Sequence, residues 1–360
     1  MMKKISAKAK FLLVPVVLLA LTSCNESKRL PQDSLDPKGY YARVADNLWN
    51  LVFPIAVFVF FLVQLLVLWL VIRYRRKSDD ESPKQVHGNT KMEIGWTILP
   101  ALLLAFVGVQ SIQALWKLSD RPAASTNPVH VQVIGHQWWW EFSYPKRAVY
   151  NKSTDSYKET PCIDISTDCV RSANELVIPV GRPVDVQIQS KDVIHSFWVP
   201  SLAGKMDATV GQSNYLTLKA EKPGEYFGQC AEFCGLSHAN MRFRVRALTA
   251  KNYEAWWNNQ LLGPANPTDT AAQAGAVLFT QKGCAGCHMI NGVSKGNVGP
   301  NLTHFDSRHR FAGSLFVNNT KNLRSWLRDP PEEKPGSLMP NLNLTEDEIT
   351  NLIAYLQQLK

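Results

Sequence analysis

No internal repeat and no low-complexity tract occurs in this 360-residue chain, which excludes repeat architectures and compositionally disordered arrays. Neither of its soluble stretches carries a basic groove with interleaved aromatics, so nucleic acid is excluded as a partner. The formal charge of +9 is unevenly placed. Residues 1–118 hold 15 basic and 8 acidic side chains, residues 119–267 hold 15 and 14, and residues 268–360 hold 9 and 8. The excess therefore stands beside apolar segments, where Lys and Arg set membrane topology. Cysteine is sparse, at seven in the whole chain, and methionine is equally so. Only Met289 and Met339 follow Met241.

Charge is missing altogether from residues 48–72, long enough for the ~20 residues that span a hydrocarbon core. Pro54 near the start of this run is compatible with spanning. Arg73, Arg75, Arg76 and Lys77 follow at once and place this end on the cytoplasmic side. Residues 94–116 form a second apolar run between Trp96 and Trp116, so the pair predicts a transmembrane hairpin within 24–118. Everything beyond Leu118 then lies on the outer face. At the N-terminus, four lysines precede an apolar run from Phe11 to Leu21 that is short for a span, predicting a signal peptide over 1–23. Leu21-Thr22-Ser23-Cys24 resembles a lipobox, with lipid on the Cys24 sulfur; an ordinary signal peptide or an uncleaved anchor is the alternative.

From Val129 the pattern changes to strand-like alternation over 129–133, 176–178, 184–188, 215–218 and 226–227, predicting a β-sandwich over 119–262. His195 is read as ending one of these strands. Cys230, Cys234, His238 and Met241 offer two thiolates, an imidazole and a thioether within twelve positions, a soft set that favours copper. A structural zinc site or a Cys230–Cys234 disulfide is the bland alternative. Loops at one end of a sandwich converge, which brings His195 within reach of this segment. Cys162 and Cys169 lie in a polar insert and pair as a small-loop disulfide, or remain free thiols.

A turn-rich linker over 263–268 leads to a helical domain over 269–360. Cys284-Ala285-Gly286-Cys287-His288 has the spacing for covalent c-type haem attachment, with His288 as proximal ligand. Met289 is too close to His288 to reach the opposite face of the haem, which favours Met339 as distal ligand over His304 or His309. Thr345 and Glu348 form a capping box before Ile349, Leu352, Ile353 and Leu356, one apolar helical face expected to pack on the domain's opening helix.

In this order, the hairpin, the copper loop and C-A-G-C-H closely resemble subunit II of bacterial haem–copper cytochrome c oxidases, in the caa-type variant with a C-terminally fused cytochrome c domain. Glu93–Pro100 (E-I-G-W-T-I-L-P), Gly135–Trp140 (G-H-Q-W-W-W), Asp192–Leu202 and Gly299–His304 (G-P-N-L-T-H) extend the resemblance over nearly everything after Cys24. It implies a multi-domain membrane protein: a two-helix hairpin, a cupredoxin-like sandwich and an all-α cytochrome c domain. It further implies a binuclear CuA centre, bridged by Cys230 and Cys234, with His195, His238, Met241 and the Glu232 carbonyl as the remaining ligands. The Glu232 carboxylate would reach a magnesium shared with subunit I, Trp138 would receive electrons above copper, and Glu93 would stand at the mouth of a proton path. For Trp139 and Trp140, burial in the sandwich or a membrane-facing position is expected instead. Where the family has a Pro-Gly-Arg-like turn after Lys205 and Asp207, this chain has Val210, Gly211 and Gln212.

The implied role is electron input to a respiratory oxidase in the bacterial cell membrane, with both soluble domains on the periplasmic face. Subunits I and III, membrane lipid, and an external cytochrome c or cytochrome bc complex are the implied partners. Neither span offers a histidine cluster, so oxygen chemistry falls to subunit I. The alternatives are the corresponding subunit of a CuA-type nitric oxide reductase, and a membrane-anchored copper-binding or delivery protein.

Overall fold

The computed structural model describes residues 32–76, 78, 88–145, 149–151, 156–158 and 169–360. The expected signal peptide, Cys24, Lys77 and Cys162 lie outside these residues. Cys169 is disulfide-bonded. The described chain divides into a helical unit, Arg43–Asp120, and a second unit that contains both soluble domains.

Two helices carry the apolar runs, α1 (Tyr40–Arg73) and α2 (Thr90–Ser119). Each is long and apolar enough to cross a bilayer. Both exceed the predicted spans because flanking polar residues continue the backbone hydrogen bonding past the apolar core. The Asn89 side chain caps α2 by accepting from the Met92 N–H. Pro54 and Pro100 sit inside the helices without ending them.

The sandwich is two five-stranded sheets. Strands β1 (Val129–His136), β2 (Trp139–Pro145), β5 (Cys169–Ala173), β7 (Val184–Ser190) and β10 (Asn214–Leu218) form one; β3 (Val149–Asn151) and β4 (Ser156–Lys158) are a separate hairpin. Strands β6 (Glu175–Pro179), β8 (His195–Trp198), β9 (Lys205–Ala208), β11 (Gly224–Cys230) and β12 (Arg242–Leu248) form the other. Strand β1 alternates buried and half-buried residues along its length, as the valine spacing predicted. In β6 all five residues are buried.

Trp140, Phe142, Phe197 and Phe243 fill the space between the sheets at one end, with Phe197 and Phe243 stacked at 4.7 Å and Trp140 edge-on to both. Such ring pairs contribute about 0.5–1.5 kcal/mol each beyond the area they bury. Trp140 is thus core, while Trp139 stacks on His136 at 4.2 Å. Cys230, Cys234 and Met241 belong to the same buried cluster, so the copper-ligand candidates are set in the core rather than on a mobile rim.

His195 begins β8 instead of ending a strand. The chain turns between Ser190 and His195 because the Asp192 carboxylate accepts from the backbone N–H groups of Gln137 and Val193. The Ser190 hydroxyl in turn accepts from the Asp192 N–H two residues on, a serine-type turn that ends β7 before the histidine is reached.

Helix α3 (Ala250–Gln260) closes the sandwich, with Trp256 and Trp257 packed on Tyr144. The C-terminal domain comprises α4 (Thr270–Gln281), α5 (Cys284–Cys287), α6 (Thr320–Arg328), α7 (Pro330–Glu333) and α8 (Glu346–Leu356). Asp269 caps α4, and Thr345 and Glu348 form the predicted capping box on α8. Ile349, Leu352, Ile353 and Leu356 are all buried, and Tyr355 packs edge-on to Phe279 of α4.

Candidate functional site

Three connections converge at the aromatic end of the sandwich: the β1–β2 turn at Gln137–Trp138, the Ser190–His195 turn, and the long β11–β12 loop from Ala231 to Met241. The two thiols lie 3.8 Å apart and are free, which excludes the Cys230–Cys234 disulfide. The ring Nδ1 of His195 stands 3.9 Å from the Cys230 sulfur, and the Glu232 carbonyl oxygen 3.2 Å from it. On the other side, His238 Nδ1 and Met241 Sδ lie 3.5 and 3.8 Å from the Cys234 sulfur. Every expected copper ligand therefore surrounds the thiol pair.

Six donors exceed the four that a closed tetrahedral zinc site uses. They also divide into two groups, one around each sulfur, which suits two metals sharing both thiolates. Thioether and thiolate together favour copper.

Protons follow the same geometry. The Cys230 thiol is brought down to about 4, first because Cys234 donates to it; burial opposes this and His195 assists. Cys234 is pushed far up by the same bond and by burial. A metal held by both sulfurs would need both as thiolates, so its binding would release the proton they share.

His195 is fully buried, and its Nε2 lies 2.8 Å from Asp192 Oδ1, leaving Nδ1 facing the sulfurs. Burial lowers its basicity, but the bonds to Cys230 and Asp192 outweigh this and raise it. Gly135 makes room for the ring, since a Cβ there would fall 2.7 Å from His195 Cδ2. In the sequence Asp192 shows only as the first residue of D-V-I-H-S-F-W, and its spacing of three from His195 is the available signal.

Trp138 is half-buried and donates from Nε1 to the Cys234 carbonyl at 3.0 Å. Gln137 Nε2 donates to the same oxygen at 2.8 Å. The Glu232 side chain is exposed, as are Phe233 and Leu236 at 77% and 75%. Glu93 lies in the first turn of α2, where the helix dipole favours a carboxylate.

In the C-terminal domain, Cys284 and Cys287 bracket the single turn of α5, and His288 follows directly. The Pro300 carbonyl lies 2.8 Å from His288 Nδ1, which fixes the ring with Nε2 free for iron. Burial lowers the His288 basicity and keeps the imidazole neutral, the form that ligates metal. Gly299 presses against this ring, where a Cβ would lie 2.7 Å from Cε1. Met339 packs on the same apolar cluster as Cys284. The Met289 sulfur instead accepts from Asn301.

Both rival histidines are otherwise engaged. His304 lies 2.8 Å from the Lys360 carbonyl at Nδ1 and 3.1 Å from the Leu262 carbonyl at Nε2. His309 Nδ1 faces Glu225 at 3.4 Å. The donors and cradle fit a covalently held haem that Cys284, Cys287 and His288 would hold, and Met339, packed on the same apolar cluster as Cys284, is the thioether candidate for its other side.

Three family models match in sequence order: cytochrome c oxidase subunit II transmembrane domain over residues 37–114, its periplasmic domain over 129–248, and cytochrome c over 272–360. Cytochrome c oxidase subunit 2 of Alkalihalophilus pseudofirmus is 37% identical, with 100% of this chain and 99% of that protein covered. The Bacillus subtilis protein of the same name is 30% identical over 97% of each. The periplasmic domain of oxidase subunit II of Bradyrhizobium japonicum, solved by crystallography, is 28% identical over 39% of this chain and 95% of that one, with a TM-score of 0.30. The copper-type donor cluster, the haem-attachment turn, the two spanning helices and full-length similarity agree, and the chain belongs to the cytochrome c oxidase subunit II family, in the form that carries a C-terminal cytochrome c domain.

Proposed function

We propose that this chain is the electron-input subunit of a respiratory cytochrome c oxidase. An external cytochrome c or cytochrome bc complex would donate to a haem held by Cys284, Cys287 and His288, and electrons would go on to copper held by the Cys230–Cys234 cluster and then to haem in subunit I, where oxygen would be reduced to water with proton translocation. When bound, the two groups supply one-electron chemistry, iron moving between ferrous and ferric as the copper pair gains or loses one electron. The observation that carries this reading is the six-donor cluster divided around two thiols 3.8 Å apart.

The chain's own residues hold that centre still. Cys230, Cys234 and Met241 are part of the sandwich core, and His195 is locked by Asp192. A rigid ligand set suits repeated electron transfer because little has to rearrange between oxidation states. Trp138 ties the outer surface of the centre to the Cys234 carbonyl. The exposed Glu232 carboxylate is free to reach a magnesium shared with subunit I, and the exposed Phe233 and Leu236 suit a contact with that subunit. Glu93 at the start of α2 would serve a proton path there. Arg73, Arg75 and Arg76 orient the hairpin with its loop in the cytoplasm and both soluble domains outside.

The test is to purify the intact complex and determine metals, haems and oxygen uptake with reduced cytochrome c. Two coppers beyond those of the large subunit, one thioether-linked haem and cyanide-sensitive oxygen uptake are expected. A large subunit that reduces nitric oxide rather than oxygen would assign the relay to the reductase class. One labile copper and no tightly bound partner would make the chain a copper-delivery protein.

A further inference from the structure

The two soluble domains meet on the copper loop. In the cytochrome domain, Ala312, Gly313 and Ser314 all have positive φ (53°, 78° and 59°), forming a tight turn pointed at the sandwich. The Gly313 carbonyl accepts from the N–H of Arg242, the residue after Met241, at 3.2 Å. Ser314, itself buried, donates from its hydroxyl to the Asn174 carbonyl at 3.2 Å. A second turn follows α7. There Lys334, only 4% exposed, donates from Nζ to the Trp138 carbonyl at 2.6 Å and to the Ala312 carbonyl at 3.4 Å. Gly336, at φ +88°, rests on the Trp138 ring, where a Cβ would fall 2.9 Å from Cζ3.

One buried lysine side chain thus joins both turns of the cytochrome domain to the backbone of Trp138. A lysine is rarely buried without an acidic partner unless its hydrogen bonds hold something in place. The carbonyls it binds come from two domains, 196 positions apart for Trp138 and 22 for Ala312. Met339 lies five positions beyond Lys334, so the same segment leads to the apolar cluster on which Cys284 also packs.

We infer that Lys334 and Gly336 form a docking latch that seats the cytochrome domain on Trp138 and holds it there as the resting arrangement of the protein. Both are positioning residues. The latch makes the haem-to-copper relay an ordered contact rather than a search by a tethered domain, and it covers the Trp138 ring against a soluble cytochrome. The external donor then reaches the copper centre only by way of the haem domain. This rests on the relay described under Proposed function.

The test uses the intact oxidase complex carrying Lys334→Met or Gly336→Ala. Three quantities are read: hydrogen exchange of peptides covering residues 134–140, the haem-to-copper transfer rate after a light-induced reduction, and its dependence on solvent viscosity. In the unaltered complex the 134–140 backbone is expected to be protected and the rate to be independent of viscosity. Each variant is expected to speed exchange there several-fold and to slow transfer about tenfold, with the slowed rate now falling as viscosity rises, as a diffusing tethered domain requires. Its visible copper spectrum is expected to stay unchanged. Wild-type exchange and transfer in both variants would overturn the latch, as would an altered copper spectrum, which would show that these residues act on the metal ligands instead. An unaltered complex that moves no electron from haem to copper would overturn the relay reading and not the latch alone.

Discussion

Trp138 donates its indole N–H to the backbone carbonyl of Cys234 at 3.0 Å, so the aromatic side chain above the thiol pair is bonded to the peptide of one of its members. The ring is therefore set by the copper loop itself. Gln137 shares the same oxygen, and Gly235 beside it adopts a left-handed φ of 112° that turns the carbonyl toward both donors.

Replacing Trp138 with Phe removes the N–H and keeps an apolar ring. A single hydrogen bond of this kind stabilises by about 0.5–1.5 kcal/mol, so the fold is expected to survive with a small loss. Haem-to-copper transfer is expected to slow about tenfold, the rate equivalent of ~1.4 kcal/mol. Transient absorption in the intact complex measures it. An unchanged rate would remove Trp138 from the electron path.

Cys234→Ser breaks the pair that defines the centre. His238 and Met241 face Cys234, so their donor group loses its sulfur while His195 and Glu232 remain around Cys230. Copper bound by the soluble domain is expected to fall from two ions to one or none. Elemental analysis and the loss of the multiline paramagnetic spectrum of a shared electron would show it, with haem content constant as the internal control.

Met339 and His304 separate ligation from structure. Met339→Ala is expected to change the haem absorption and leave most of the fold intact. His304→Ala is expected to leave the haem spectrum alone and to destabilise by about 0.5–1.5 kcal/mol, since the neutral ring donates its one N–H to the Lys360 or the Leu262 carbonyl and that hydrogen bond is lost. Burial holds the His304 basicity below its ordinary value. The unfolded chain then binds more protons, so this residue's contribution is expected to be lost as pH falls below about 6.5. Thermal melts from pH 7 to 5 check the sign, and the slope should flatten in His304→Ala.

Much of this was legible before any coordinates. The copper and haem ligands announce themselves by type and spacing, because soft donors clustered within a few residues have few other uses. The spanning helices and the β1 alternation follow from apolar periodicity alone. What escaped was held by long-range geometry. Asp192 fixes the His195 ring and bends the chain so that His195 opens a strand, and nothing in an isolated D-V-I-H reveals that turn. Gly299 and Pro300 were visible as a motif, though their role against the His288 ring was not. Lys334 gave no signal at all, since a lysine after two glutamates reads as an ordinary solvated charge.

Lys334 supplies a final prediction with a defined sign. Burial lowers its basicity to about 7. Unfolded, a lysine titrates near 10.4. Between these values the unfolded or undocked chain binds more protons than the docked one, so docking stability is expected to rise as pH increases from about 7 to 10. The neutral amine still donates to the Trp138 and Ala312 carbonyls, so raising the pH removes the cost of taking a proton off the undocked ammonium without removing the bonds. Hydrogen exchange across residues 134–140 in the copper-loaded complex should therefore slow over that range beyond the change expected from intrinsic chemistry. Lys334→Met should abolish the extra slope. An identical pH profile in the variant and the unaltered protein would show that the lysine keeps its ordinary basicity and is exposed to water.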